Sequence, residues 1–253
     1  MDVQVFWEAI SAYNRQTAAV QAVLLTFLLG MTALSYAGKV RWAAKCALGV
    51  VHLFLAAVFF ARYGRAPIQL FFALPLFLAC GLLFLYECRH CRSDELARPD
   101  LPRTVLLVLC LSYPLCSLLA GNAFPQMVTS IMPCPVVSFG IVVYSGYTRK
   151  SRLLLALLTL WGLTGIKSLL FHVYEDLILL LCGLYGARQL LLERRVLERV
   201  AFDDLQFKKL VQNHAKAKYN HAHQDDDHAA FHAVAGRFCH NMIPVLSVEC
   251  CRL

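Results

Sequence analysis

Pro133-Cys134-Pro135 holds one thiol between two residues that have no backbone N–H. Proline suits the first turn of a helix, where the missing donor leaves nothing unpaired. Pro135 also disfavours helical geometry at the residue before it. Cys134 is therefore expected just ahead of a helix start, where a thiol can become more reactive or bind metal. The plainer reading is that the prolines start a short helix and the cysteine fills space. Glu175-Asp176 is an acidic pair, but adjacent residues on a helix do not face each other, so the spacing does not make a paired-carboxylate site. The two acids can cap free N–H groups at a helix start. Alternatively, one faces a helix bundle and binds a cation or relays protons, with His172, Lys167 or Tyr174 nearby. Tyr13-Asn14 stands just before a long apolar block, and His52 lies in the middle of another. His52 either bonds a neighbouring helix or belongs to a polar pathway. Phe6-Trp7 with Tyr13 fits an interfacial aromatic anchor.

Two patterns suggest metal. Cys88-x-x-Cys91 encloses His90, but a lone C-x-x-C is weak because structural zinc takes four ligands. Near the end, His221, His223, His228 and His232 are interleaved with Asp225, Asp226 and Asp227. His228 and His232 have i, i+4 spacing. Such a tail binds zinc, nickel or copper, or is simply solvated. There is no nucleotide-binding loop, no G-x-S-x-G and no H-E-x-x-H. The residues name no catalytic group and no cofactor.

The elements that must position these residues are apolar. Of 253 residues, 59% are hydrophobic and 16% charged, against about 25% charged in soluble domains. The apolar residues come in blocks such as Ala18 to Ala37, Ala43 to Ala61 and Ile68 to Tyr86. Each has about the length that crosses a bilayer. The spacing predicts an all-α, polytopic transmembrane bundle of about seven helices, near 17–37, 42–62, 67–87, 103–120, 133–148, 152–166 and 174–192. An amphipathic segment, 1–16, precedes it, and a tail, 193–253, follows, with an amphipathic helix and the His-rich stretch. Cleavage after Ser35-Tyr36-Ala37 is an alternative to a retained first span. A re-entrant hairpin over 133–166 is disfavoured because it would sink Arg149, Lys150 and Arg152 into hydrocarbon.

The formal net charge of +8 lies between the blocks and in the tail, a pattern of membrane topology rather than nucleic-acid binding. Lys39, Arg41 and Lys45 fall in one loop; Arg89, Arg92 and Arg98 in another; Arg149, Lys150 and Arg152 in a third; Arg188, Arg194, Arg195 and Arg199 follow the last block. These segments alternate along the chain, so they share one side. The positive-inside rule then predicts an outside N-terminus and a cytoplasmic C-terminus. Tyr13-Asn14, the Gly121–Pro135 loop and Phe171 to Asp176 are then expected together on the outer face. The cysteines inside apolar blocks read as small hydrophobes rather than a disulfide framework.

Three stretches, "FWEAISAYNRQTAAVQ", "GNAFPQMVTSIMPCPVVSFGIVVY" and "GIKSLLFHVYEDLILLLCGL", resemble a family of uncharacterised bacterial inner-membrane proteins, grouped as a domain of unknown function. The resemblance covers roughly residues 4 to 192. The chain keeps the Tyr-Asn, Pro-Cys-Pro and Glu-Asp signatures. It has Ala18-Ala19 in place of Trp-Pro and Val136-Val137 in place of two threonines. The resemblance implies a multi-pass protein of the bacterial inner membrane and carries no activity with it. The leading functional expectation is non-enzymatic binding or transport of a small solute or cation from the outer face. Tyr13, Asn14, Pro133, Cys134, Pro135, His172, Glu175 and Asp176 would form that site. The alternatives are an intramembrane redox or metal-dependent enzyme using Cys134, and an accessory subunit that docks a membrane partner protein or anionic lipid through the basic helix near 190–211.

Overall fold

No proline interrupts residues 3–36, and they form one helix, α1 (Val3–Tyr36). At about 1.5 Å per residue it is about 51 Å long, well beyond a hydrocarbon core of about 30 Å. The computed structural model describes residues 3–64, 67–91, 93–167 and 174–193. Helix α2 starts as Ala43–Phe54, widens into a π-helical stretch, Leu55–Phe60, and ends with Ala61–Tyr63. Helix α3, 67–90, has a π-helical opening, Gln69–Ala73, before Leu74–His90. Trp7–Tyr36, Ala43–Tyr63 and Gln69–His90 are each long and apolar enough to cross a membrane.

The fourth apolar block is broken. Helix α4 (Leu101–Leu111) and α5 (Tyr113–Leu119) meet at a 56° bend. Pro114 explains it: its ring would clash with the carbonyl of Cys110, and it has no N–H to give. The expected single span 103–120 is thus two helices, which form one crossing at most. Asp100 caps α4, accepting from the Arg103 backbone N–H at 3.4 Å and from Arg103 Nε at 2.6 Å. The Arg103 bond holds the Asp100 carboxyl below the usual carboxylate range.

Helices α6 (Pro133–Tyr144) and α7 (Arg152–Leu163) have 12 residues each, about 18 Å. The expected span 133–148 is shorter in the structure, whereas 152–166 matches the helical run Arg152–Ile166, whose last turn is 3-10; at about 18 and 22 Å neither reaches across a bilayer alone. The burial pattern gives the reason for α6. Every residue from Pro135 to Tyr144 is buried; a helix apolar on all sides belongs inside a bundle. A turn, Tyr174–Asp176, leads into α8, 177–193. Among the described residues there is no strand; Leu96 and Tyr147 form one isolated bridge.

Small residues set the closest approaches. A Cβ at Gly81 would lie 2.7 Å from Leu53, where α3 meets α2. One at Gly183 would lie 2.5 Å from the carbonyl carbon of Gly162, where α8 meets α7. Such contacts let helix backbones pack without hydrophobic drive between them. The chain divides into Met1–Gln189 and Leu190–Leu253. The second unit lies almost wholly outside the described residues, and with it the expected helix near 190–211 and the His-rich tail.

Three of the basic loops meet. Arg41 pairs with Glu95 at 2.8 Å. The Ala97 N–H donates to Gly146 O at 3.0 Å, and the Thr148 N–H to Glu95 O at 3.0 Å. Lys45, expected as a loop charge, lies instead in the first turn of α2 and is fully buried. Its ammonium is 2.9 Å from Glu87 Oε2 and 2.8 Å from Asp94 Oδ2. It also sits 4.6 Å from the Tyr147 ring centroid. Tyr144 OH donates to Glu87, and the Ser151 N–H to Tyr144 OH at 2.6 Å. Two carboxylates and a ring face explain how a lysine tolerates burial.

Candidate functional site

At the opposite ends of these helices, α1 presents a polar stripe. Tyr13, Asn14, Thr17 and Gln21 are all buried; Tyr13, Thr17 and Gln21 recur every four residues and Asn14 lies seven before Gln21, which keeps them near one helix face. Tyr13 OH donates to Ile131 O at 2.6 Å, and its ring stands edge-on to Phe59 and Tyr63. Tyr13 is therefore a core residue rather than part of an interfacial belt. Asn14 Nδ2 donates to Pro125 O at 2.8 Å and Met127 O at 2.9 Å. Gln21 Oε1 accepts from Thr129 Oγ1 at 2.6 Å, and Gln21 Nε2 donates to Asn14 Oδ1 at 3.2 Å. From the other side, Ser117 Oγ accepts the Val128 N–H at 2.9 Å. Irregular backbone among apolar helices must have its polar groups met by protein. These side chains do that for the loop from 121 to 132.

The loop leads into α6. Met132 is the residue before the helix, so Pro133 and Cys134 are already in its first turn. The expectation that Cys134 is non-helical is corrected here: Pro135 falls within the first turn, where no N–H is required. Cys134 Sγ donates to Asp176 Oδ2 at 3.5 Å, and its carbonyl accepts from Ser138 Oγ at 2.8 Å. Glu175 is buried and accepts from Asn122 Nδ2 at 2.9 Å. The acids before α8 thus reach two different partners, one in the loop and one in α6.

Above the pinned loop lies a cleft of about 410 Å³, lined by Ser11, Arg15 and residues 121–126. Among the described residues that line it, Arg15 is the charged one. Asn122 touches the cleft and also holds Glu175. The described lining supplies hydroxyl, amide and guanidinium groups, with no thiol, imidazole or carboxylate among them. The arrangement suits holding a polar molecule.

Of the residues singled out from the sequence, Tyr13, Asn14, Pro133, Cys134, Pro135, Glu175 and Asp176 come together around this loop; His172 lies outside the described residues. His52 is fully buried in α2, with Nδ1 2.8 Å from Leu48 O of its own helix. It stacks on Phe77, and Nε2 has no hydrogen-bond partner. His90 stacks on Tyr86 and bonds its carbonyl. Among the described residues no three His, Cys, Asp or Glu side chains are placed to hold a metal ion, at Cys88 and Cys91 or elsewhere. The tail histidines lie outside the described residues.

Two features escaped the reading of the sequence. Arg15, next to Tyr13-Asn14, was not among the residues singled out there. The Lys45–Glu87–Asp94 cluster was read as separate loop charges, although Lys45 three residues into an apolar block was a signal of a buried ion pair. No curated protein and no solved structure matches the chain. The model of one family matches residues 3–201. The chain belongs to this Family of unknown function (DUF6064).

Proposed function

We propose that this chain is a multi-pass protein of the bacterial inner membrane that binds a small anionic solute at its outer face, in the cleft beside Arg15. The observation that carries the reading is the cleft itself. It has room for a molecule of several non-hydrogen atoms, a guanidinium on its wall and the Asn122 amide beside it. Arginine is suited to carboxylate and phosphate groups, and it repels a cation. The anionic form of the solute is therefore favoured over the cationic one. The clustering of basic residues in alternating segments supports an outside N-terminus, which would put the cleft outside. Transport would follow if the pinned loop moved; simple binding needs no such movement.

The test is thermal unfolding of the full chain in lipid nanodiscs against sodium acetate, succinate, glutamate and phosphate, with sodium and magnesium chloride at matched ionic strength. At least one of the four anions should raise the unfolding temperature of wild type, and Arg15→Gln should lose that rise without changing the ligand-free value. A rise from magnesium alone, or an anion effect that survives Arg15→Gln, would overturn the reading.

A further inference from the structure

Two cysteines with no part in the cleft meet inside the bundle. Cys110 is in the last turn of α4 and Cys182 is on α8; both are buried. Their sulfurs are 3.7 Å apart, and both are free thiols. Around them the helix surfaces are apolar and open: Val108 and Leu111 on α4, and Leu181 and Leu184 on α8, are each about half exposed or more. In a bilayer those side chains would meet lipid, so a lipid-soluble oxidant comes closer to this buried pair than a water-borne one.

We propose that Cys110 and Cys182 form a reversible disulfide whose oxidant is a membrane quinone. Each thiol gives up its S–H bond and one S–S bond forms. The two electrons and two protons pass to the quinone's carbonyl oxygens, which leaves a quinol. The sulfurs must close by about 1.6 Å to reach the roughly 2.05 Å bond, a movement within reach of side-chain rotation and a slight helix shift. The bond joins α4 to α8. Because α8 begins directly after Glu175-Asp176, the bond would restrain the turn that holds Asn122 and Cys134. The inference does not depend on the nature of the solute.

The experiment uses the full chain in phosphatidylethanolamine–phosphatidylglycerol nanodiscs under nitrogen. Decylubiquinone is added, and the protein is denatured in iodoacetamide and mapped by mass spectrometry. The expected result is a pair of peptides joined through Cys110 and Cys182, separated again by dithiothreitol, with one quinol formed per cross-link. In Cys182→Ser, or in Cys182→Ala if the serine variant fails to fold, both the joined peptides and that quinol should vanish. Complete alkylation of both cysteines in quinone-treated wild type would overturn the proposal, as would equal quinol yield from the Cys182 variant.

Discussion

Replacing Lys45 by Met tests the buried charge cluster most sharply. The methionine keeps most of the side-chain volume and removes the ammonium that lies within 3 Å of both Glu87 and Asp94. Breaking a buried ion pair from one side costs about 3–5 kcal/mol. Here two carboxylates lose the same cation, which places the variant toward the upper end of that range at pH 7. The assay is reversible unfolding of the protein in dodecylmaltoside micelles, titrated with sodium dodecyl sulfate and followed by circular dichroism at pH 7. Arg41→Gln is the control: its partner Glu95 is exposed, and surface pairs contribute at most about 1 kcal/mol. If Lys45→Met is no worse than Arg41→Gln at pH 7, the reasoning fails.

Asn14→Ala removes both donors to the Pro125 and Met127 carbonyls; each unsatisfied buried group costs about 1–3 kcal/mol, so brief proteinase K digestion in nanodiscs should cut the variant within residues 121–132 while wild type resists. Gly183→Ala should lower stability by about 1–3 kcal/mol by overpacking against α7, since its Cβ would lie 2.5 Å from backbone; Gly30→Ala, with nothing within 4 Å, should be neutral or stabilising by about 0.5–1 kcal/mol, and the same detergent titration ranks the two.

The long helices were legible because their information is local. About twenty mostly apolar residues with few charges read as a bilayer-length helix wherever they sit in the chain, and α1, α2 and α3 follow that rule. The break in the fourth block had its signal, Pro114, in plain view, but the apolar count outweighed the proline. For α6 the difference in length has another cause. A helix inside a bundle and one facing lipid are both apolar, and composition does not tell them apart. The residues of the loop site were legible in type but not in role. Tyr-Asn, Pro-Cys-Pro and Glu-Asp stood out as polar or turn-forming groups beside apolar blocks. That Asn14 spends its amide on loop carbonyls, while Arg15 next to it faces the cleft, depends on which side of one helix turn meets the loop.

The sequence by itself determined an all-helical chain, the family it belongs to, three membrane-length helices and the loops where the charges gather. Tertiary structure decided which charges are buried and which polar groups are consumed in holding backbone. Lys45 and Arg41 are four residues apart in one basic stretch. The first is sealed against Glu87 and Asp94, and the second is open to solvent. Hydropathy is a property of each residue in turn, whereas the partners of a buried charge arrive from some 40 to 50 residues away in the chain and are set only when the helices pack.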